Sequence, residues 1–544
     1  MRCPGRVIYA DEIRGRVDRC DLFDITRKDF AVSQIVVIGA GVGGLAAAAR
    51  LAAGGHQVSV FEQGDRTGGK LRTWQHDGFA FDTGPSLLTL PAVYRDLFLK
   101  TGRALEREVD LQPVERAFGY HFADGSQVEL PGADPAKCAA AFGAAFGDDA
   151  AADWRALMAR AAAMWQATRE PFLQSPIDGW RTIAALLRQP RDVSTVAPFT
   201  SLRTLGKRTL RDPRLRMILD RYATYTGSDP RQAPAVLATI PYVEQTFGAW
   251  HIGGGLGGLA DALTTRCQQL GVTIQLHKPV TKVHIRDGRA AGVVFDDGTQ
   301  VAADFVVANA DARLVYSDLV NLPTTRRLRR NLQRRPTSLA GFVILAALRG
   351  RTTGLAHHNL WFPERYDDEF DDIFGRSPQP VRNPTIYTCV PDDPAMRPDD
   401  DHESWFILVN APGQGVIDWR REGLREQYAD HVLAQLAERG MEIRDRVLWR
   451  RVQTPADLQD QTWSPGGAIY GTSSNGARAA FTRPANRSPV PGLFLVGGSA
   501  HPGGGLPLVG MGAAIVAELI ESGTTGQRRP SQVRGTPRAS TSND

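Results

Sequence analysis

The chain has 544 residues, enough for two or three domains and far more than one core requires. With 42% hydrophobic and 23% charged residues it is globular by composition, which excludes a fibrous or wholly disordered chain. The formal net charge of +5 sits mostly at the ends: the tail after Glu521 carries four arginines against one aspartate, and the first thirty residues carry seven basic against six acidic side chains. The body is therefore near neutral, and nucleic-acid binding is not expected.

Residues 1–32 mix charge throughout and lack an apolar segment, so they read as an unstructured extension and no secretory signal is expected. Cys3, Cys20, Cys138, Cys267 and Cys389 are scattered and odd in number, which fits reduced thiols in a cytoplasmic chain. Residues 35–62 read IVVIGAGVGGLAAAARLAAGGHQVSVFE. An apolar strand over 35–38 leads into Gly39-x-Gly41-x-x-Gly44, an alanine-rich helix follows to about Ala53, and a second strand over 57–61 ends at Glu62. Each part has a task in dinucleotide binding: Gly39 makes the tight turn, Gly41 lets a pyrophosphate approach the backbone, and Gly44 lets the helix pack on the sheet. The pyrophosphate rests on the helix N-terminus, and Glu62 is placed to accept from a ribose diol. A second glycine pair follows in Gly68-Gly69-Lys70-Leu71-Arg72-Thr73; standing alone it would read as a surface hairpin, but here it favours FAD over NAD.

From about 101 to 250 the βαβ rhythm gives way to helical patterns, for example over 153–160. Within 177–211, Trp180, Ile183, Leu186 and Leu187 recur at helical spacing among Arg181, Arg188 and Arg191, with Arg203, Lys207, Arg208 and Arg211 behind them, as an interfacial membrane helix requires. A solvated helix packed on the core is the plainer reading. The βαβ style returns with GGGLGGLADAL (253–263), a strand over 272–276, hairpin turns at Asp287-Gly288 and Asp297-Gly298, and FVVANAD (305–311). His357 and His358 are adjacent, so on a strand they point to opposite faces and suit one metal ion poorly; no metal is expected.

No Asp, Glu, Lys or Arg occurs from Ser488 to Ala517, a length that could span a bilayer. Glycines and prolines interrupt its centre, so it divides into a strand over 493–496, a glycine loop over 497–506, and a helix opened by Pro507 and running to Gly523. The polar segment 522–544 reads as a disordered tail.

Together GAGVGGLAAAARLAAGGHQVSVFEQGDRTGGKLRT, VVANAD (306–311) and GLFLVGGSAHPGGGLPLVGMGAA (492–514) resemble the bacterial-type phytoene desaturases, the carotenoid desaturase family of flavoproteins. HHNLWFPERYDDEFDDIF (357–374) and NPTIYTCVPDDPAMRPDD (383–400) look like that family's central segment, and the likeness covers roughly 33–522. The stretch 221–256 is closest to desaturases acting on later, hydroxylated carotenoids, the 1-hydroxycarotenoid 3,4-desaturase type.

The resemblance implies an α/β fold: a Rossmann-like FAD-binding domain of the glutathione-reductase/amine-oxidase type, assembled from 33–100, 251–311 and 466–521. An α+β substrate domain from 101–250 and 312–465 is inserted in it. It implies that Gly39, Gly41, Gly44, Glu62, Gly69, Lys70 and Arg72 hold the ADP half and diphosphate, that Val280 contacts the adenine region, and that Gly498, Pro507, Leu508, Val509 and Gly510 face the isoalloxazine. The implied partners are a carotenoid drawn from the lipid phase, a membrane surface touched peripherally, and oxygen or a quinone to reoxidise the flavin. No nucleophile elbow or cysteine–histidine pair appears, so the hard chemistry belongs to the flavin, by hydride removal from a C–C bond beside a polyene with loss of a proton. Tyr222, Tyr225, Tyr242, Phe247 and Trp250 are the candidate substrate tunnel, and Glu244 the candidate proton acceptor. A flavin amine oxidase would need an aromatic cage that HPGGGLPLVG lacks, and a prenyl-binding protein without flavin would have little use for both glycine segments.

Overall fold

A computed structural model of the chain describes residues 32–177, 190–476 and 483–525. The expected extension 1–31, the membrane-segment residues Trp180, Arg181, Ile183, Leu186, Leu187 and Arg188, and the tail from 526 lie outside the described residues.

The first strand, Gln34–Ile38, is apolar on both faces, which suits the interior of a parallel sheet. It forms the centre of a five-stranded parallel sheet in the order Leu493–Leu495, Phe305–Ala308, Gln34–Ile38, Gln57–Phe61, Thr273–Gln275. Ile35 and Val37 enter one core, where the helices Val42–Ala53, Gly257–Gln269 and Leu506–Thr525 pack. Val36 and Ile38 enter the other, against the hairpins Val280–Arg286, Arg289–Phe295 and Gln300–Ala302. The helix Val42–Ala53 is buried almost all round because alanine and glycine let its neighbours approach.

The helix Leu506–Thr525 is long and apolar enough to cross a membrane by composition. In the fold, Ala513, Val516, Ala517 and Ile520 are buried with the first helix, and Tyr94 Oη donates to the Leu506 carbonyl at 2.7 Å. It extends past Ser522 to Thr525, so the polar tail begins later than expected.

A seven-stranded sheet runs Val447–Gln453, Ala340–Arg349, His402–Ala411, Ile386–Cys389, His358–Trp361, Arg116–His121, Gln127–Pro131. Its last two strands lie in 101–250, where helical patterns dominate the sequence: Arg116–His121 lies parallel to His358–Trp361, a long-range pairing that local pattern does not announce. Helices Asp148–Thr168, Leu202–Thr209, Pro213–Arg221 and Thr239–Phe247 pack beside this edge. Of the basic residues assigned to a membrane face, Arg203 pairs with Asp220 and Asp367, and Arg211 with Asp149 and Asp153. Both charges are paired with acids of the chain itself, Arg203 largely buried and Arg211 at the surface.

Candidate functional site

The strand Gln34–Ile38 delivers the chain into the glycine turn at the C-terminal edge of the parallel sheet, the usual ligand side of such folds. Gly39 adopts φ +91°, and a Cβ there would lie 2.7 Å from the Asn309 carbonyl oxygen. At Gly44 a Cβ would lie 2.2 Å from the Gly39 carbonyl oxygen, so this glycine seats the helix and does not line the cavity. Gly41 forms a bridge with Gly68, and a Cβ on Gly69 would lie 3.0 Å from Gly41 Cα. The second glycine pair therefore closes against the first, while its continuation forms the hairpin Thr73–His76 and Phe79–Asp82.

Glu62 lies beside this double turn. Its Oε2 accepts from the Ala40 N–H at 2.7 Å and its Oε1 from the Gly64 N–H at 2.8 Å, leaving lone pairs for a ligand diol. Lys70 Nζ donates to the Ala468 and Ile469 carbonyls at 2.8 and 3.0 Å, and burial pushes its pKa down to about 8. The ammonium thus ties the cavity wall at the second glycine turn to the segment that carries Ala468 and Ile469. Arg72 keeps a buried Nε with no hydrogen-bond partner, and burial lowers its pKa. An orphaned buried guanidinium donor beside a glycine turn suits an anion such as a diphosphate.

A cavity of about 660 Å³, within the range of ligand sites, runs from this turn into the space between the two sheets. Gly39, Gly41, Glu62, Gly69, Lys70, Arg72 and Val280 line it, as do Gly498, Pro507, Leu508 and Val509. Gly510 does not: a Cβ there would meet Val93 Cγ1 at 2.7 Å, so it faces the helix Ala92–Lys100.

Among the tunnel aromatics only Tyr225 reaches the cavity. The helix Thr239–Phe247 turns Thr239, Ile240, Val243 and Glu244 inward, so Tyr242 and Phe247 fall on other faces. Phe247 is 39% exposed beside Trp165, Tyr222 is buried behind the wall, and Trp250 lies under Arg95 with its Nε1 donating to the Phe247 carbonyl. The lining instead mixes aliphatic Leu237, Ile240 and Val243 with other aromatics, Tyr387 and Phe406 from the second sheet and Trp165 and Phe172 from the segment 148–173.

Glu244 faces this cavity and is 3% exposed. Its Oε1 accepts from Tyr222 Oη at 2.5 Å and its Oε2 from Tyr225 Oη at 3.3 Å. Burial pushes its pKa up to about 7, against the opposing pull of Tyr222, Arg221 and Tyr225.

Among the lining residues that sequence reasoning missed, Arg221, Asn309 and Arg483 are polar and bear on the site. Arg221 was a lone cation in an aromatic run; Asn309 sits in FVVANAD and donates from Nδ2 to the Gly39 carbonyl at 3.3 Å. Arg483 donates to the Tyr470 and Gly498 carbonyls at 3.2 and 2.9 Å, and burial pushes its pKa down to about 10.

The strand argument about His357 and His358 is corrected as well. His357 precedes the strand, so the two rings meet at 4.6 Å, with Cys389 Sγ nearby. The ligand atoms of the three spread over up to 4.8 Å, wider than the roughly 3.5 Å expected between ligands of one tetrahedral zinc ion.

The parallel sheet, its paired glycine turns and the adjoining cavity define a dinucleotide-binding oxidoreductase. Residues 42–508 match the family of flavin containing amine oxidoreductases, and the chain belongs to that family. It is an FAD-dependent oxidoreductase. It is 31% identical over 494 residues to a 4,4'-diapolycopene oxygenase of Methylomonas sp., covering 90% of this chain and 98% of that one. It is 32% identical over 499 residues to a hydroxyneurosporene desaturase of Rubrivivax gelatinosus, covering 90% and 93%. A zeta-carotene-forming phytoene desaturase of Myxococcus xanthus is 32% identical over 510 residues, again covering 90% and 93%. These relatives bear out the resemblance to carotenoid desaturases. Solved structures share the fold: an oxidoreductase from Methanosarcina mazei has a TM-score of 0.60 at 20% identity, covering 89% of this chain and 100% of that one. A putrescine oxidase has a TM-score of 0.61 at 16% identity, covering 91% and 100%.

Proposed function

We propose that this protein is a carotenoid desaturase, introducing C–C double bonds into a polyene taken from a membrane surface. The observation that carries the reading is the continuous cavity joining the glycine turns to a largely apolar chamber, in a chain whose relatives are carotenoid desaturases and oxygenases. In this reading the ADP half of FAD rests on Gly39, Gly41 and Gly69, its ribose on Glu62, and its diphosphate beside Arg72, while Gly498 and Pro507–Val509 face the ring. When bound, the flavin supplies the two-electron acceptor for dehydrogenation.

The protein's own part is binding, dryness and the proton. Leu237, Ile240 and Val243 exclude water and hold an apolar chain. The positive end of the helix Leu506–Thr525 opens onto the cavity and favours negative charge there. We assign the substrate proton to Glu244, whose pKa of about 7 makes it both basic and substantially ionised at neutral pH. For membrane contact the support is Phe199, 88% exposed next to Val196 and Pro198, which line the cavity.

The test is reconstitution with FAD and liposomes carrying either phytoene or a 1-hydroxylated neurosporene-type carotenoid, with products read by chromatography and absorption. Longer-wavelength product from phytoene alone makes this an early desaturase, and from the hydroxylated substrate alone a late 3,4-desaturase. No product from either, with FAD bound, overturns the reading.

A further inference from the structure

Arg221 is a buried cation on the wall of a largely apolar chamber. It ends the helix Pro213–Arg221, is 8% exposed, and lines the cavity. A guanidinium carries five N–H donors and stays charged at any physiological pH. Among the described residues the Arg221 guanidinium makes one hydrogen bond, from Nη1 to Tyr225 Oη at 2.9 Å, and no ion pair. Its guanidinium carbon stands 4.9 Å over the Tyr225 ring and 5.5 Å over the Tyr387 ring, two aromatic faces that fix its plane. Tyr225 in turn donates towards Glu244, and Tyr387, on the same cavity wall, shares a 2.7 Å hydrogen bond with Ser86. Arg221, Tyr225, Glu244, Tyr387 and Ser86 thus form one polar cluster on the cavity wall, with an under-bonded cation in it.

Burying such a cation against a hydrocarbon costs free energy unless a partner satisfies it. The flavin assignment does not use it, and on Glu244 it acts through its charge, which leaves its remaining N–H donors without a hydrogen bond. Tyr225 shows what fits there: its hydroxyl accepts from Arg221 and donates towards a carboxylate, which a carbonyl or an ether cannot do.

We propose that Arg221 and Tyr225 form a seat for a hydroxyl at one end of an otherwise apolar substrate, and so select hydroxylated polyenes over hydrocarbon polyenes. This rests on the desaturase reading and adds the element of specificity. A site built around a substrate hydroxyl rejects the analogue lacking it far more strongly than an apolar pocket rejects a methylene, because the buried donors are left unpaired.

The test uses the FAD-loaded full chain and two acyclic polyenes of equal length, one ending in a tertiary hydroxyl and one in hydrocarbon. Two ratios are read: competitive uptake of the pair from mixed vesicles, by chromatography of bound pigment, and kcat/KM for each. The wild-type protein should favour the hydroxylated polyene at least about tenfold in both, and Arg221→Met should reduce that preference by about ten- to a hundredfold, the range for hydrogen bonds to a charged group. Tyr225→Phe, which removes one oxygen atom and keeps the ring, should also reduce it; flavin absorbance per protein reports that each variant is folded. A wild-type preference near one, or variants that keep the wild-type preference, overturns the proposal. If the flavin-loaded wild-type protein takes up and converts neither polyene, the carotenoid reading itself falls and this proposal with it. If it converts both equally, only the hydroxyl seat falls.

Discussion

Replacing Glu244 by Gln should flatten part of the pH dependence of stability. The carboxyl is 3% exposed and burial raises its pKa from 4.5 to about 7. As pH climbs past 4.5 the unfolded chain loses this proton while the native protein keeps it until near 7, so within that window the native state binds more protons and stability falls with rising pH. The contribution is fully present below the lower value and gone above the upper one, and a displacement of this size amounts to about 3 kcal/mol. Glutamine carries no titrating proton yet still offers an oxygen to Tyr222, so the packing is kept. Asp220, which burial also pushes up to about 7, is common to both proteins and cancels in the comparison. The assay is urea denaturation of FAD-loaded wild-type and Glu244→Gln protein, followed by tryptophan fluorescence, near pH 4.5 and near pH 8. The stability difference between the two should change by about 3 kcal/mol in favour of the variant at the higher pH. Parallel behaviour across the window would refute the claim that Glu244 is held protonated by burial.

Other outcomes follow from the cofactor end of the cavity. Glu62→Ala leaves the Ala40 and Gly64 N–H groups unpaired and should weaken FAD retention by about tenfold or more, read as release of fluorescent flavin on dilution. Gly44→Ala forces a methyl group to 2.2 Å from the Gly39 carbonyl oxygen, which should cost about 1–3 kcal/mol in denaturant unfolding and loosen the flavin with it. Phe199→Asp puts a charge on a side chain 88% exposed at the cavity's edge; co-sedimentation with vesicles should drop while FAD content stays at the wild-type level.

The parallel sheet and its glycine turn were legible because their causes are local. Ile35–Ile38 is apolar on both faces, Gly39 must take a positive φ, and Gly44 must let a helix approach a carbonyl; each demand marks the residue type at a fixed spacing. The uncharged run 488–517 likewise disclosed its strand, loop and helix through its own glycines and prolines. What local pattern could not reach was everything set by partners distant in the chain. Tyr242 and Phe247 are as aromatic as Tyr225, and only the rotation of their helix against the neighbouring layer decided which faced the cavity. The pairing of Arg116–His121 with His358–Trp361 joins segments over two hundred residues apart, and it sets a sheet edge within a stretch where helical patterns dominate. Lys70 and Arg72 are both basic and two residues apart, yet carbonyls of 468 and 469 occupy one and leave the other with an orphaned donor. By itself the sequence determined the dinucleotide fold and the kind of cofactor, since backbone conformation and close packing act residue by residue. Which side chains meet the substrate was decided by the tertiary structure, because burial, charge pairing and facing direction belong to the packed whole.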